Sequence, residues 1–531
     1  MAAHKNIQLV VTPKQAFVLK ELKGVLCTKL GVKPSRIDTI QIVKKSIDAR
    51  KKNDIKINLT LNVYTDGTIP EVVKYPFSYQ NVSEKKPVII IGAGPAGLFA
   101  ALRLIELGRK PIILERGKNV SDRKKDIALL NRNEGLNTES NYCFGEGGAG
   151  TFSDGKLFTR SKKKGDCSRV LLHLHEHGAQ DSILYEAHPH IGTDKLPTVI
   201  KNIRETILSY GGEIHFETKM TKLILKNDIV KGVECADGRT FEADEVILAT
   251  GHSARDIYRM LHEQGIELES KGFAMGVRVE HPQHLIDQIQ YHNKEGRGDY
   301  LPAASYNLVA QVENRGVYSF CMCPGGFIVP ASTGKNEIVV NGMSPANRNS
   351  KFANSGIVVE IRPEDLIEGE LSQYKEYGVM AGLKFQEDYE RLSFENGEGE
   401  KAIAPAQKLA DFVRERKTEF MPVSSYLPGL KISAIHEWMP EFICKRLQEG
   451  FKAFDNKMRG FLTNNATIIG VESRTSSPIR IPRDPETLQH IRIKGLYPCG
   501  EGAGYAGGIT SSAVDGERCA EAIAGISRER V

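Results

Sequence analysis

No apolar run in this 531-residue chain approaches the roughly 18 residues that cross a bilayer. The opening stretch MAAHKNIQLVV lacks the apolar centre of a secretory signal. Nine cysteines are present without the paired spacing of a disulfide framework, which points to free thiols in a reducing compartment. Internal repeats and low-complexity segments are also missing. These absences argue against a membrane protein, a disulfide-stapled scaffold and a solenoid. They leave a cytoplasmic protein with no membrane partner and an expected two to four domains.

Glycine is plentiful, with 50 residues gathered in a few clusters. Charge is uneven. Residues 1–86 hold 16 Lys+Arg and 7 Asp+Glu, or +9, so a net charge of +6 leaves −3 for the remainder. A basic head on a near-neutral body permits a nucleic-acid partner without requiring one. The head reads strand, helix, strand, strand. NIQLVVT alternates and stops at Pro13, the helical spacing of PKQAFVLKELKGVLCTKLG ends at Gly31, and IDTIQIVKKSID and DIKINLTLNVYT alternate again. Strands then dominate from Lys271 to about Val359, and helices from Pro363 to about Arg459. A last strand, ATIIGVES, is expected to lead back toward a terminal glycine loop.

Val88–Ile91 reads as a buried strand, followed by Gly92-x-Gly94-x-x-Gly97 and a helix starting near Pro95 and Ala96. Gly92 suits a tight turn, Gly94 a close approach of backbone to a pyrophosphate, and Gly97 close packing of helix on strand. The helix N-terminus offers free N–H groups to the phosphates. Glu115 ends the second strand, 115 − 92 = 23 positions on, where a carboxylate accepts from ribose hydroxyls. It disfavours a 2′-phosphate, so FAD or NAD fits better than NADP. Arg116 is placed to neutralise a phosphate or stack on adenine. Three features favour FAD: the strand ending in Ala249-Thr250-Gly251, the turn around Lys219-Met220-Thr221, and the terminal stretch YPCGEGAGYAGGITSSAVDG. FAD is long enough for one loop to hold its adenine half and the other its flavin half. Gly500 and Glu501 then face the ribityl chain. A helix from Gly508, Ile509 and Thr510 aims its positive end at the flavin N1–C2=O edge.

These motifs resemble those of glutathione-reductase-type flavoproteins. More narrowly, VKKSIDARKK, FGEGGAGTFSDGKL, ATGHSARDIY, FCMCPGG, ESRTSSPIRIPRD and GEGAGYAGGITSSAVDG resemble the bacterial FAD-dependent dehydrogenases usually labelled NAD(P)/FAD-dependent oxidoreductases. Glu501 stands where many members of the broader superfamily carry Asp. The resemblance implies an α/β fold: a glutathione-reductase-type FAD-binding Rossmann domain (residues 86–270, returning at 461–531). A mixed α+β substrate domain (271–460) is inserted into it, and a small βαββ-like domain (1–85) precedes it. It also implies that the Gly148, Ala149, Gly150 and Thr151 backbone runs along the flavin, with Asp154 and Lys156 close to the ring.

The expected activity is hydride transfer at flavin N5 to or from a small substrate, an anionic one if the arginines below form an anion site. Arg474, Ser476, Ser477 and Arg480 are the candidates for an anion site beside the flavin, set against structural pairing of those arginines with carboxylates. Lys156, Arg474, Ser476 and His252 are the candidate catalytic residues. Cys321 and Cys323 read as buried thiols, since C-x-C is tight for disulfide exchange or zinc. His173 and His177 share a helical face with Glu176 nearby, but such sets are more often solvated or capping, and no metal is expected. A second strand–GxGxxG–helix unit is missing, so NAD(P)H as electron donor would dock over the flavin. A substrate that reduces the flavin directly is equally compatible. An RNA-associated flavoprotein using the basic head and a non-catalytic FAD scaffold are the alternative readings. Oligomeric state has no signature in the sequence.

Overall fold

The alternating head sequence folds as its pattern dictates in the computed structural model, which describes residues 3–51, 54–70, 73–159 and 165–526. Strand β1 (Ala3–Val11), helix α1 (Leu19–Leu30), β2 (Ile37–Asp48) and β3 (Lys56–Thr65) form an antiparallel sheet in the order β1-β3-β2. Every second residue of β3, from Ile57 to Val63, is buried. Leu22 and Leu26 of α1 lie on one helical face and cover it. The edge strand β2 is partly covered. Lys45 exchanges backbone hydrogen bonds with Tyr185 and Ala187 (2.9 and 3.0 Å), and its Nζ lies 3.0 Å from Glu186.

The body starts with β4 (Pro87–Ile91), then α2 (Pro95–Glu106) and β5 (Lys110–Leu114). β6 (Glu213–His215) follows much later. A three-stranded antiparallel meander of β7 (Met220–Lys226), β8 (Ile229–Cys235) and β9 (Thr240–Glu242) leads to β10 (Val246–Leu248). The chain leaves for a seven-stranded sheet built from β11 (Phe273–Pro282), β12 (Val309–Val312), β13 (Arg315–Cys323), β14 (Phe352–Ile361), β15 (Ala404–Lys408), β16 (Leu430–Ile432) and β17 (Thr467–Glu472). Their spatial order is β12-β13-β14-β11-β17-β15-β16. It returns as β18 (Leu496–Pro498) and ends in α3 (Ile509–Ile523). The first sheet is parallel, in the order β18-β10-β4-β5-β6. Both its faces are covered, so β4 is a continuous run of buried β-branched residues.

The strand Thr467–Glu472 departs from expectation. It pairs with β11 and β15 inside the second sheet, and the chain reaches the terminal loop from it only through β18. The stretch expected to be mostly helical also gives that sheet two strands, β15 and β16. A buried apolar run identifies a strand, but the sheet it joins depends on partners far away in sequence.

Candidate functional site

β4 runs into Gly92, whose φ of 103° belongs to the left-handed region. A Cβ there would stand 2.6 Å from the Ala249 carbonyl oxygen, so the end of β10 lies directly against this loop. At Gly97 a Cβ would meet the Gly92 oxygen at 2.0 Å, and at Gly516 the Ala96 oxygen at 2.0 Å. The backbones of α2 and α3 are therefore in close contact. Gly94 differs: the nearest atom to a Cβ there is Gly148 Cα, at 3.8 Å.

The third glycine cluster folds onto the first, with Gly147 N donating to Ala93 O at 2.8 Å. A Cβ on Gly150 would touch Ile509 Cγ1 at 2.9 Å, and one on Gly502 would stand 2.4 Å from the Gly251 oxygen. The early loop, the middle cluster and the terminal loop thus close around one cavity of about 400 Å3, within the size range of cofactor sites. Gly92, Gly94, Pro95, Ala96, Glu115, Arg116, Gly148, Ala149, Gly150, Met220, Ala249, Thr250, Gly251, Glu501, Gly508, Ile509 and Thr510 line it. So do Lys156, His252 and Arg474.

Four of the expected cofactor-binding and catalytic residues lie outside the lining, as do Ser477 and Arg480 of the expected anion site. Gly97 serves the helix–strand contact, and Gly500 donates its N–H to Asp515 at 2.8 Å. Thr151 donates to the Glu146 carbonyl at 3.1 Å. Ser476 is half-buried away from the cavity.

Glu115 is 5% exposed and brackets three segments. It accepts backbone N–H groups from Ala93 (2.8 Å), Gly117 (2.9 Å) and Gly145 (3.0 Å). A carboxylate has about four lone-pair sites, so this bracket leaves room for a further donor from the cavity. Arg116 is engaged already. It donates to Glu139 (2.6 Å) and Asp256 (2.9 Å), with its plane 4.1 Å from the Phe144 ring centroid. His252 Nδ1 lies 3.5 Å from Glu501 Oε1.

The four-residue anion site does not assemble. Arg474 is nearly buried and donates to Glu390 (2.8 and 3.1 Å), Glu337 (2.7 Å) and Thr333 (2.7 Å). Arg480 faces Glu269 at 3.9 Å, and the Ser477 hydroxyl donates to the Ile479 carbonyl at 2.5 Å. The arginine is matched by carboxylates contributed from elsewhere in the fold. In the histidine cluster His177 is committed: it bonds the His173 carbonyl through Nδ1 (2.7 Å) and Thr206 through Nε2 (3.0 Å), while ligand atoms of His173, Glu176 and His177 lie within 4.8 Å of one another. Burial first, then the Arg169 charge, pushes His173 down to about 2.

Sequence reading missed the cavity position of Cys321. Cys323 is buried as expected, but Cys321 lines the cavity beside Lys156, Phe320 and Asn341. Lys156 Nζ lies 3.9 Å from Cys321 Sγ, 3.8 Å from Cys323 Sγ and 3.5 Å from Asp154 Oδ2. The spacing carried no such signal, because a register shift between Phe320 and Cys323 breaks the two-residue alternation there.

The backbone around the cavity fits an elongated dinucleotide. Gly94 presents an open face, and a Cβ at Gly507 or Gly508 would meet no atom within 4 Å. α3 starts at the cavity with no side-chain cap, leaving its first N–H groups for a ligand.

Comparison with known proteins gives the same cofactor. A family model described as FAD-dependent protein, C-terminal domain-like, matches residues 272–475. An FAD binding domain model matches 87–123, and a domain of unknown function matches 3–64. The chain is 41% identical over 523 residues to an uncharacterized protein of Clostridium beijerinckii, covering 95% of this chain and 96% of that one. It is 27% identical over 202 residues to the thiamine thiazole synthase of Aeropyrum pernix, covering 35% and 62%. Among solved structures, glycine oxidase from Bacillus cereus overlays with a TM-score of 0.31 at 14% identity, covering 83% of this chain and 95% of that one. At that overlay the architecture rests on the strand order described above.

Proposed function

Since the chain belongs to a family of FAD-dependent proteins, we propose that it is a flavin-dependent oxidoreductase passing a hydride between FAD and a small substrate. The observation that carries this reading is the meeting of the two distant glycine loops on one cavity. Bound FAD supplies hydride chemistry at N5; the chain supplies binding, orientation and exclusion of water. Gly94 and the start of α2 receive the pyrophosphate. Glu501, with His252 Nδ1 3.5 Å away, would hold the ribityl chain. The uncapped start of α3 would hold the flavin end, where a helix dipole would contribute about 0.3–2 kcal/mol to binding negative charge. Lys156 stands where it can hold or move a proton next to the reacting ring. With Arg474 matched by Glu390 and Glu337, the reading of an anionic substrate loses the side chain it was built on.

One strand–GxGxxG–helix unit is present among the described residues. NAD(P)H, if it is the donor, docks over the cavity rather than on a domain of its own. The deciding measurement is the visible spectrum of the yellow protein mixed anaerobically with a metabolite panel that includes NADH and NADPH. Bleaching identifies the reductant. A flavin that no panel member bleaches, and that stays reduced against every acceptor after photoreduction, sinks the enzyme reading in favour of a scaffold.

A further inference from the structure

The Cys321–Cys323 segment interrupts a regular ladder. β13 and β14 pair at Phe320↔Gly356, and the next pair is Cys323↔Asn354, so the register shifts between them. Cys321 holds φ at 46°, a left-handed conformation that residues with side chains rarely adopt and that concentrates at functional sites. Irregularities of this kind re-aim side chains. Here both sulfurs face the same Lys156 ammonium, at 3.9 and 3.8 Å. Arg278, fully buried, donates to the Cys321 carbonyl (2.8 Å) and lies 3.7 Å from Cys323 Sγ.

The surroundings act oppositely on the two thiols, and the Cys323 thiol also donates to the Cys321 carbonyl at 3.3 Å. A hydrogen bond from Cys323, together with Lys156 and Arg278, holds Cys321 well below the ordinary thiol range against the effect of burial. The same bond and burial push Cys323 up. Burial alone would lower Lys156, but the sulfurs and Asp154 outweigh it and keep the ammonium charged. Cys321, at the cavity wall, is thus the more acidic of two sulfurs that face one ammonium, with Cys323 behind it.

We propose that Cys321 and Cys323 form a redox-active dithiol that exchanges an electron pair with FAD bound in the cavity, an inference that rests on the FAD reading of that cavity. In the oxidising direction the Cys321 and Cys323 sulfurs form an S–S bond and the Cys323 S–H bond breaks. The two electrons and the released proton, relayed past Lys156, pass to oxidised FAD and give FADH−. One thiolate, one thiol and FAD become one disulfide and FADH−, with atoms and charge balanced. The reverse step opens the disulfide at the expense of reduced flavin.

Air-oxidised holoprotein is titrated anaerobically with dithionite, and its cysteines are mapped by alkylation before and after reduction. About four electrons per bound FAD are expected, two for the cofactor and two for the disulfide. Cys321→Ser and Cys323→Ser should each take about two, and in the unaltered protein both cysteines should become alkylatable only after reduction. Yellow protein that takes about two electrons, or four-electron uptake that survives both substitutions, overturns the dithiol alone. Protein that cannot be loaded with FAD overturns the cofactor reading and this pairing together.

Discussion

Two pairs of neighbouring cysteines share the same local ingredients and differ in what surrounds them. Cys321 and Cys323 sit at the cavity; Cys499 follows β18 and Cys519 lies within α3. In each pair an arginine nitrogen lies 3.7 Å from a sulfur, Arg278 on Cys323 and Arg483 on Cys519. Arg483, however, is held by both oxygens of Asp515, at 2.6 and 3.0 Å, which cancels its charge. Arg278 has Glu472 (2.5 Å), but the first pair also has Lys156. At the second pair, the hydrogen bond with Cys519 and then burial push the Cys499 thiol up, and neither sulfur reaches the cavity. Donor atoms of Cys499, Asp515 and Cys519 all lie within 4.8 Å of one another, as a metal site would require. The guanidinium among them opposes a cation. Neighbouring thiols are therefore not enough: an ammonium that faces both sulfurs directly and an opening toward the cofactor separate a reactive pair from a structural one.

The largest effect should come from removing the cofactor, which erases the contrast. Gly94→Val would fill the space between Gly94 and Gly148, where only 3.8 Å separates a Cβ from the Gly148 backbone. Purified Gly94→Val protein should be colourless, with its two cysteine pairs indistinguishable by electron uptake. A full flavin spectrum would show that the pyrophosphate lies elsewhere. Asp515→Asn should break the contrast from the other side. It leaves Arg483 buried without its carboxylate, a loss of about 3–5 kcal/mol readable by urea denaturation. Burial would raise Asp515, but Arg483 outweighs it and depresses the carboxyl. Its contribution is therefore present above the ordinary carboxyl pKa and is lost as pH falls through the depressed value. The deficit of Asp515→Asn should accordingly be largest near neutrality and shrink in acid. A deficit independent of pH would mean that the ion pair is not its source.

Much of this site could be read from spacing alone. Gly92, Gly94 and Gly97 sit where strand, turn and helix require them, and the terminal loop meets them because FAD is longer than one loop can hold. What spacing could not supply was electrostatic context. Arg474 looked like an anion hook because its carboxylates, Glu390 and Glu337, are 84 and 137 residues away in sequence. Thr467–Glu472 was legible as a strand but not as a member of the second sheet, since its partners β11 and β15 lie in distant segments. Cys321 and Cys323 were visible as a pair, yet the ammonium between them comes from Lys156, in a glycine cluster 165 residues from Cys321. Local pattern determines elements and turns, whereas charge balance is set by residues that only the fold brings together.

A smaller effect isolates that charge. Lys156→Met keeps the length of the side chain and removes its ammonium. An opposite charge within about 4–6 Å moves a pKa by about 1–3 units, and Arg278 remains, so the shift should fall near the lower end. The midpoint for iodoacetamide modification of Cys321 should rise by about one unit, read from rates across a pH series. An unmoved midpoint would assign the acidity of Cys321 to Cys323 and Arg278 alone.

The smallest effect is the most discriminating control. Cys519→Ser removes a thiol from the second pair, with its own arginine and its own hydrogen-bonded partner, and leaves the cavity lining untouched. If adjacency of thiols near a flavoprotein core were sufficient, this substitution would lower electron uptake as Cys323→Ser does. Because Asp515 neutralises Arg483 and neither sulfur reaches the cavity, uptake per FAD should instead match that of the unaltered protein. A drop by about two electrons would place the redox pair behind the terminal helix. Lys156, Cys321 and Cys323 would then be a packed polar contact and no more.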